Sequence, residues 1–183
     1  SITTMSKVLI SFLGTGRIKE GVSKRVYENT KYRIEEQEYD CSFVSVALRQ
    51  HFNIDRLILI GTPHSMWEEV YHTYAGEDDV WLEIGEHCSK SNYESSLEIP
   101  HKDRIENAMG NGSKAVAIKY GLNLEEIQAN SEIILGLGES LNQGDELYVD
   151  ITHSFRSLPL FVMNLLIYLR DVSPRKIKIS GIY

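Results

Sequence analysis

The chain has 183 residues, a formal net charge of −7 and 42% hydrophobic residues, which is one ordinary domain with room for a substantial core. No run approaches the ~18 apolar residues of a membrane span, and the acidic balance argues against broad binding to duplex nucleic acid, which relies on many phosphate contacts. Cys41 and Cys88 are far apart and match no metal or redox spacing, so a reduced cytoplasmic protein is the simple inference.

In chain order, Ser1 to Thr4 ahead of Met5 read as an expression remnant and are set aside. Lys7 to Leu13 is a short apolar run ending in Gly14-Thr15-Gly16, the pattern of a buried strand closed by a tight turn. Glycines there let the backbone approach a phosphate or a base closely, although an ordinary turn uses them too. A nicotinamide fingerprint is disfavoured because Lys19 occupies the third glycine position.

Residues 17 to 33 carry Arg17, Lys19, Lys24, Arg25, Lys31 and Arg33 against Glu20 and Glu28. This is either a solvated basic face or the electropositive flank of an anion site. Tyr27 to Tyr39 reads as a hairpin, and Asp40 to Phe52 as a helix with Phe43, Val44, Ala47, Leu48 and Phe52 on one face. Arg56 to Ile60 is a second buried strand, and His64 to Tyr74 a helix begun after Pro63. The polar stretch 76 to 96 reads as a loop with an irregular helix, and Ser96 to Ile99 as a third sheet strand.

Asn123 followed by Glu126 is a capping-box pattern opening a helix with Ile127, Ile134, Leu137 and Leu141 on one face. Glu146 to Asp150 is a strand, and a helix follows with Leu158, Phe161, Val162, Leu165, Leu166 and Leu169 at buried-face spacing. Ser157 is read as its N-cap, with Pro159 tolerated in the first turn. Strands alternating with helices predict an open, mostly parallel, Rossmann-like α/β sheet with helices on both faces, plus a small hairpin insertion.

Between that last strand and helix, Thr152, His153, Ser154, Phe155 and Arg156 fill a turn beside unpaired helix N–H groups. Hydroxyls, an imidazole and a guanidinium at the positive end of a helix dipole suit an anion, most naturally a phosphate. An arginine there grips phosphate through two parallel hydrogen bonds. Structural alternatives are a carbonyl-bound His153 and an Arg156 paired with Asp150. Thr62, His64 and Ser65 follow another strand, with Met66 and Trp67 either walling a purine or packing in the core. In open sheets ligands sit beyond the carboxyl ends of the strands, so these loops and Gly14 to Gly16 can line one edge. No nucleophile elbow, Walker-type loop or His-Glu-x-x-His helix occurs, and Glu35, Glu36 and Glu38 read as a solvated hairpin edge rather than a metal site.

Asp150-Ile-Thr-His-Ser-Phe-Arg-Ser-Leu-Pro159 resembles the second conserved motif of the CARF domains of Csx/Csm-type CRISPR-associated proteins. Val8 to Gly16 resembles that family's opening strand and ligand loop, Tyr32 to Phe52 its hairpin and helix, Ile58 to Trp67 its next strand and turn, and Lys176 to Tyr183 its last strand. The resemblance spans residues 5 to 183. It implies a sensor of cyclic oligoadenylate, cyclic tetra-adenylate first, in type III CRISPR antiviral defence. It further implies a homodimer holding one ring across its two-fold axis, no cofactor, and a fused or downstream effector domain.

By the same resemblance the ligand-binding residues are Leu13, Gly14, Thr15, Gly16, Arg17, Thr62, His64, Ser65, Thr152, His153, Ser154, Phe155 and Arg156. Some members open the ring without a metal, a ribose 2′-OH attacking the adjacent phosphate in line. In such a ring nuclease His153, Ser154 and Arg156 would be the catalytic residues, and sensing and ring opening stay open as alternatives. The Arg-x-x-x-x-His motif of the HEPN ribonuclease domain, fused to many relatives, is absent from this sequence.

Overall fold

Alternate residues of a strand point to opposite faces of its sheet, and in the first strand both sets are buried: Val8, Ile10 and Phe12 on one side, Leu9 and Ser11 on the other. Such a strand needs cover on both faces, which an antiparallel meander open to solvent does not supply. The computed structural model describes residues 5–15, 17–18, 25–92, 96–110, 112–153 and 158–183.

In chain order the elements are β1 (Lys7–Phe12), β2 (Arg17–Ile18), β3 (Arg25–Val26), β4 (Thr30–Ile34), β5 (Gln37–Cys41), α1 (Val44–Phe52), β6 (Arg56–Gly61) and α2 (Trp67–Ala75). There follow α3 (Asp79–Lys90), α4 (Lys102–Met109), β7 (Lys114–Ala117), α5 (Leu124–Gly136), β8 (Glu146–Asp150), α6 (Leu158–Asp171) and β9 (Lys178–Ile182). Five strands form one parallel sheet in the order β7-β6-β1-β8-β9. β4 and β5 make an antiparallel hairpin apart from it, and β2 and β3 a two-residue ribbon.

The two faces carry separate cores. Leu9, Leu57, Leu59 and Tyr148 pack with Leu48 of α1, Val70 of α2, Ile84 of α3 and Ile105 of α4. Val8, Ile10, Ile58, Ile60, Leu147 and Val149 pack with Ile134 of α5 and with Val162, Leu165, Leu166 and Leu169 of α6. This is the expected α/β architecture with helices on both faces and a hairpin insertion.

Several expectations are corrected. Ser96 to Ile99 forms no strand among its described residues; Ile99 packs into the core ahead of Pro100, and α4 leads instead to β7 as the edge strand. The polar stretch after residue 76 holds a regular helix, α3, because the acidic run supplies its cap: Asp78 accepts from the Trp81 N–H at 2.9 Å. Asp40 and Cys41 belong to β5, and α1 starts only at Val44. Helix α2 starts at Trp67, leaving residues 62 to 66 as a turn. The capping box at Asn123 holds, its side chain accepting from the Glu126 N–H at 2.9 Å.

Candidate functional site

The chain leaves β1 to build β6 and β7 on one side, then returns to build β8 and β9 on the other. The switch in direction lies between β1 and β8, and the loops at their carboxyl ends flank the crevice where ligands of such sheets sit. Those loops are Leu13 to Thr15 and Ile151 to His153, with the turn after β6 beside the first.

Backbone bonds tie the β1 loop to the β6 turn. Leu13 donates its N–H to the Ile60 carbonyl at 2.7 Å, and the Met66 N–H donates to the Gly14 carbonyl at 3.0 Å. The Ser65 hydroxyl donates to the Leu13 carbonyl at 3.0 Å and accepts from the Thr62 N–H at 2.9 Å. Thr62 and Ser65 are buried, so their hydroxyls are used in shaping the turn. His64 is half-buried with its ring Nδ1 2.9 Å from the Cys88 carbonyl. Met66 and Trp67 lie in the core, as the packing alternative had it, and the indole N–H of Trp67 donates to the Thr62 carbonyl at 2.9 Å.

Across the crevice the Asp150 side chain, fully buried, organises the start of the other loop. Its Oδ1 accepts from the Thr152 N–H at 3.0 Å and from the Thr152 hydroxyl at 2.5 Å, an Asx-type turn. Its Oδ2 accepts from the Ser11 hydroxyl at 2.7 Å. Thr152 and His153 are exposed, as is Thr15, while Gly14 is half-buried. A Cβ built on Gly14 would lie 3.7 Å from the His153 ring, so the two expected loops do meet across the crevice.

Of the remaining expected residues, Arg17 has its backbone in β2, paired with Val26. Gly16, Ser154, Phe155 and Arg156, and the cap residue Ser157, lie outside the described residues. Arg25 of the basic segment is not a solvated cation: it is buried and ion-paired with Glu68 at 2.6 Å. Lys31 and Arg33 of the same segment are exposed on β4. Among the described residues no three His, Cys, Asp or Glu side chains group as a metal site.

Sequence reading missed Ser11, whose hydroxyl holds Asp150. Ser11 signalled itself only as a polar residue inside an apolar strand. Tyr32, half-buried on β4, has its phenol pushed up by burial and then by the charges of Cys41 and Asp150.

The family described as the CARF domain of the CRISPR system endoribonuclease Csx1 matches residues 8–183. The CRISPR-associated protein MJ1674 of Methanocaldococcus jannaschii is 38% identical over 199 residues, covering 98% of this chain and 31% of that protein. The chain therefore spans about a third of the length of that relative. No helix among the described residues is long and apolar enough to cross a membrane.

Proposed function

Since the chain belongs to the Csx1-type CARF domain family of CRISPR-associated proteins, we propose that it senses cyclic oligoadenylate, with cyclic tetra-adenylate as the ligand, in the cytoplasm during type III CRISPR defence. The observation that carries this reading is the approach of Gly14 to His153 at the switch point, with Thr15 and Thr152 exposed beside them. In this reading the β1 loop from Leu13 to Arg17 and the turn from Thr152 to Arg156 face the ring. Arg156 and the helix N-terminus take phosphate oxygens. Thr62 and Ser65 hold the β1 loop in shape from behind, and His64 closes that turn against α3.

A tetra-adenylate ring is compatible with two-fold symmetry, so each protomer supplies half a site. Support for a second copy comes from α6, which leaves Leu160, Met163 and Ile167 exposed along one side. The bound dimer would then relay the signal to an effector domain, in keeping with the greater length of the relative.

Exposure of His153 next to the glycine loop also favours a second reading, slow ring opening. The 2′-oxygen of a ribose would form a bond to the adjacent phosphorus as the 5′-oxygen leaves, giving a 2′,3′-cyclic phosphate and a 5′-hydroxyl. One proton passes from the 2′-OH to the leaving oxygen, and in this reading His153 carries it. Incubation of the protein with labelled cyclic tetra-adenylate, followed by calorimetry and chromatography, tests both. Tight binding with an intact ring supports the sensor; linear products ending in cyclic phosphate make it a ring nuclease. Failure to bind either the tetra- or the hexa-adenylate ring refutes both.

A further inference from the structure

Among the described residues, the most heavily bonded buried charge lies just behind the β6 turn. Arg25 of β3 is 8% exposed and Glu68, in the first turn of α2, is 5% exposed. The guanidinium donates through Nε to Glu68 Oε1 at 2.8 Å and through Nη2 to Glu68 Oε2 at 2.6 Å. It also donates through Nη2 to the Ser65 carbonyl at 3.0 Å and through Nη1 to the His64 carbonyl. Tyr27 donates its hydroxyl to the same Glu68 carboxylate. Burial works against the charge on Arg25, but the bond to Glu68 and its charge overrule it, raising the pKa further. Burial, with the Glu68 charge behind it, likewise pushes the Tyr27 phenol far up, so that it stays a donor.

Packing alone does not call for this arrangement, since a buried ion pair is weak evidence for stability. Its geometry is informative because of what the held carbonyl belongs to. The Ser65–Met66 peptide unit has its carbonyl on Arg25 and its N–H on the Gly14 carbonyl, at 3.0 Å each. One planar peptide therefore links the buried guanidinium to the glycine loop, and planarity transmits orientation from one end to the other. The ribbon closes the circuit, because Arg25 pairs with Ile18 of β2, which leaves that same loop.

We propose that Arg25 is a positioning residue for the ligand, setting the Gly14 peptide through Ser65–Met66 without touching the ring. The proposal rests on the oligoadenylate reading. Preorganised backbone groups cost no ordering when the ligand arrives, which is how a residue behind a site raises affinity. Lysine is not a substitute, because it presents a single charged point where Arg25 bridges a carboxylate and two carbonyls.

The test compares wild type with Arg25→Lys and Glu68→Gln, measuring cyclic tetra-adenylate affinity, melting temperature and amide hydrogen exchange at Met66. The expected result is a tenfold or greater loss of affinity in Arg25→Lys, with the Met66 amide exchanging faster and most of the molecules still folded at the assay temperature. Glu68→Gln, which keeps the carbonyl contacts and weakens the ion pair, should fall between the two. Wild-type affinity in Arg25→Lys overturns the role. So does a loss of affinity that only tracks the unfolded fraction while Met66 keeps its protection. A wild-type protein that binds no cyclic oligoadenylate sinks the functional reading itself and this role with it, a result distinct from binding that survives the substitution.

Discussion

Ser11 of β1 and Asp150 of β8 are register partners across the switch point, and the Ser11 hydroxyl donates to the Asp150 carboxylate at 2.7 Å. Both are buried, so solvent does not replace the bond if it is lost. Ser11→Ala takes one donor from a buried carboxylate, an omission that costs about 1–3 kcal/mol. The urea midpoint should fall accordingly, and the Thr152 amide, whose acceptor is the same carboxylate, should exchange faster. An unchanged midpoint would mean that the bond does not brace the site.

Glycine substitutions should separate structure from recognition. A Cβ on Gly61, the last residue of β6, would stand 2.8 Å from the Ser65 Oγ and 3.0 Å from the Trp67 ring, both of them buried. Gly61→Ala is expected to cost about 1–3 kcal/mol by overpacking, read as a lowered unfolding midpoint. At Gly14 the same atom meets the His153 ring at an ordinary 3.7 Å. Gly14→Ala should therefore melt close to wild type while binding cyclic tetra-adenylate more weakly, because the methyl group occupies ligand space. Equal affinity would remove Gly14 from the site.

These contrasts bear on what the sequence reveals. Glu146 to Asp150 was readable to the residue, because a run of that kind bounded by turn signals has few other uses. Helix α4 was not: Lys102 to Met109 buries only Ile105 and Met109, so tertiary packing rather than periodicity makes it a helix. Strand β7 is a four-residue Lys-Ala-Val-Ala that is a strand because β6 offers it an edge. The glycine loop and Thr152-His153 were legible as loops after strands. Their supports were not, since Arg25 and Glu68 are 43 residues apart and Ser11 and Asp150 are 139 apart. Local composition made Arg25 one of six cations on a basic stretch; only the fold turns it inward.

Cys88 gives the fold a predictable response to alkali. Burial, then the charge of Glu68, pushes its thiol up to about 12 from an ordinary 9.0. The folded chain keeps the proton that the unfolded chain gives up, so stability falls as pH rises from about 9 towards 12. Below that window the thiol contributes no pH dependence. Denaturant midpoints from pH 7 to about 10.5 should decline more steeply in wild type than in Cys88→Ala, even though the variant starts lower. The Tyr27 phenol, also raised, leaves a residual decline in both. Parallel slopes would show that the thiol titrates normally.

Arg156 and His153 should fail differently. Hydrogen bonds to charged groups are worth about 1.5–3 kcal/mol each, so Arg156→Ala should weaken cyclic tetra-adenylate binding at least ~10-fold while the melting temperature holds. Normal binding would remove Arg156 from phosphate recognition. His153→Ala is exposed to a sharper comparison if the ring is opened, because cleavage should be lost while binding persists. Unchanged cleavage would take His153 out of the reaction.

The proposed dimer makes the last prediction, and it depends on α6. Residues 160, 163 and 167 recur at helical spacing, and Leu160 is 61%, Met163 45% and Ile167 47% exposed, on the side away from the buried Val162, Leu165, Leu166 and Leu169. A helix that is apolar on both sides needs a second surface to cover it. It begins just after the turn carrying His153, so a partner seated there would bring its own turn alongside. Ile167→Glu places a charge in that contact without touching the core. Light scattering is expected to give a dimer for wild type and a monomer for the variant, with cyclic tetra-adenylate affinity falling together with dimerisation and the melting transition retained. A variant that stays dimeric, or one that binds fully as a monomer, would mean that the ring is held by another surface or by one protomer alone.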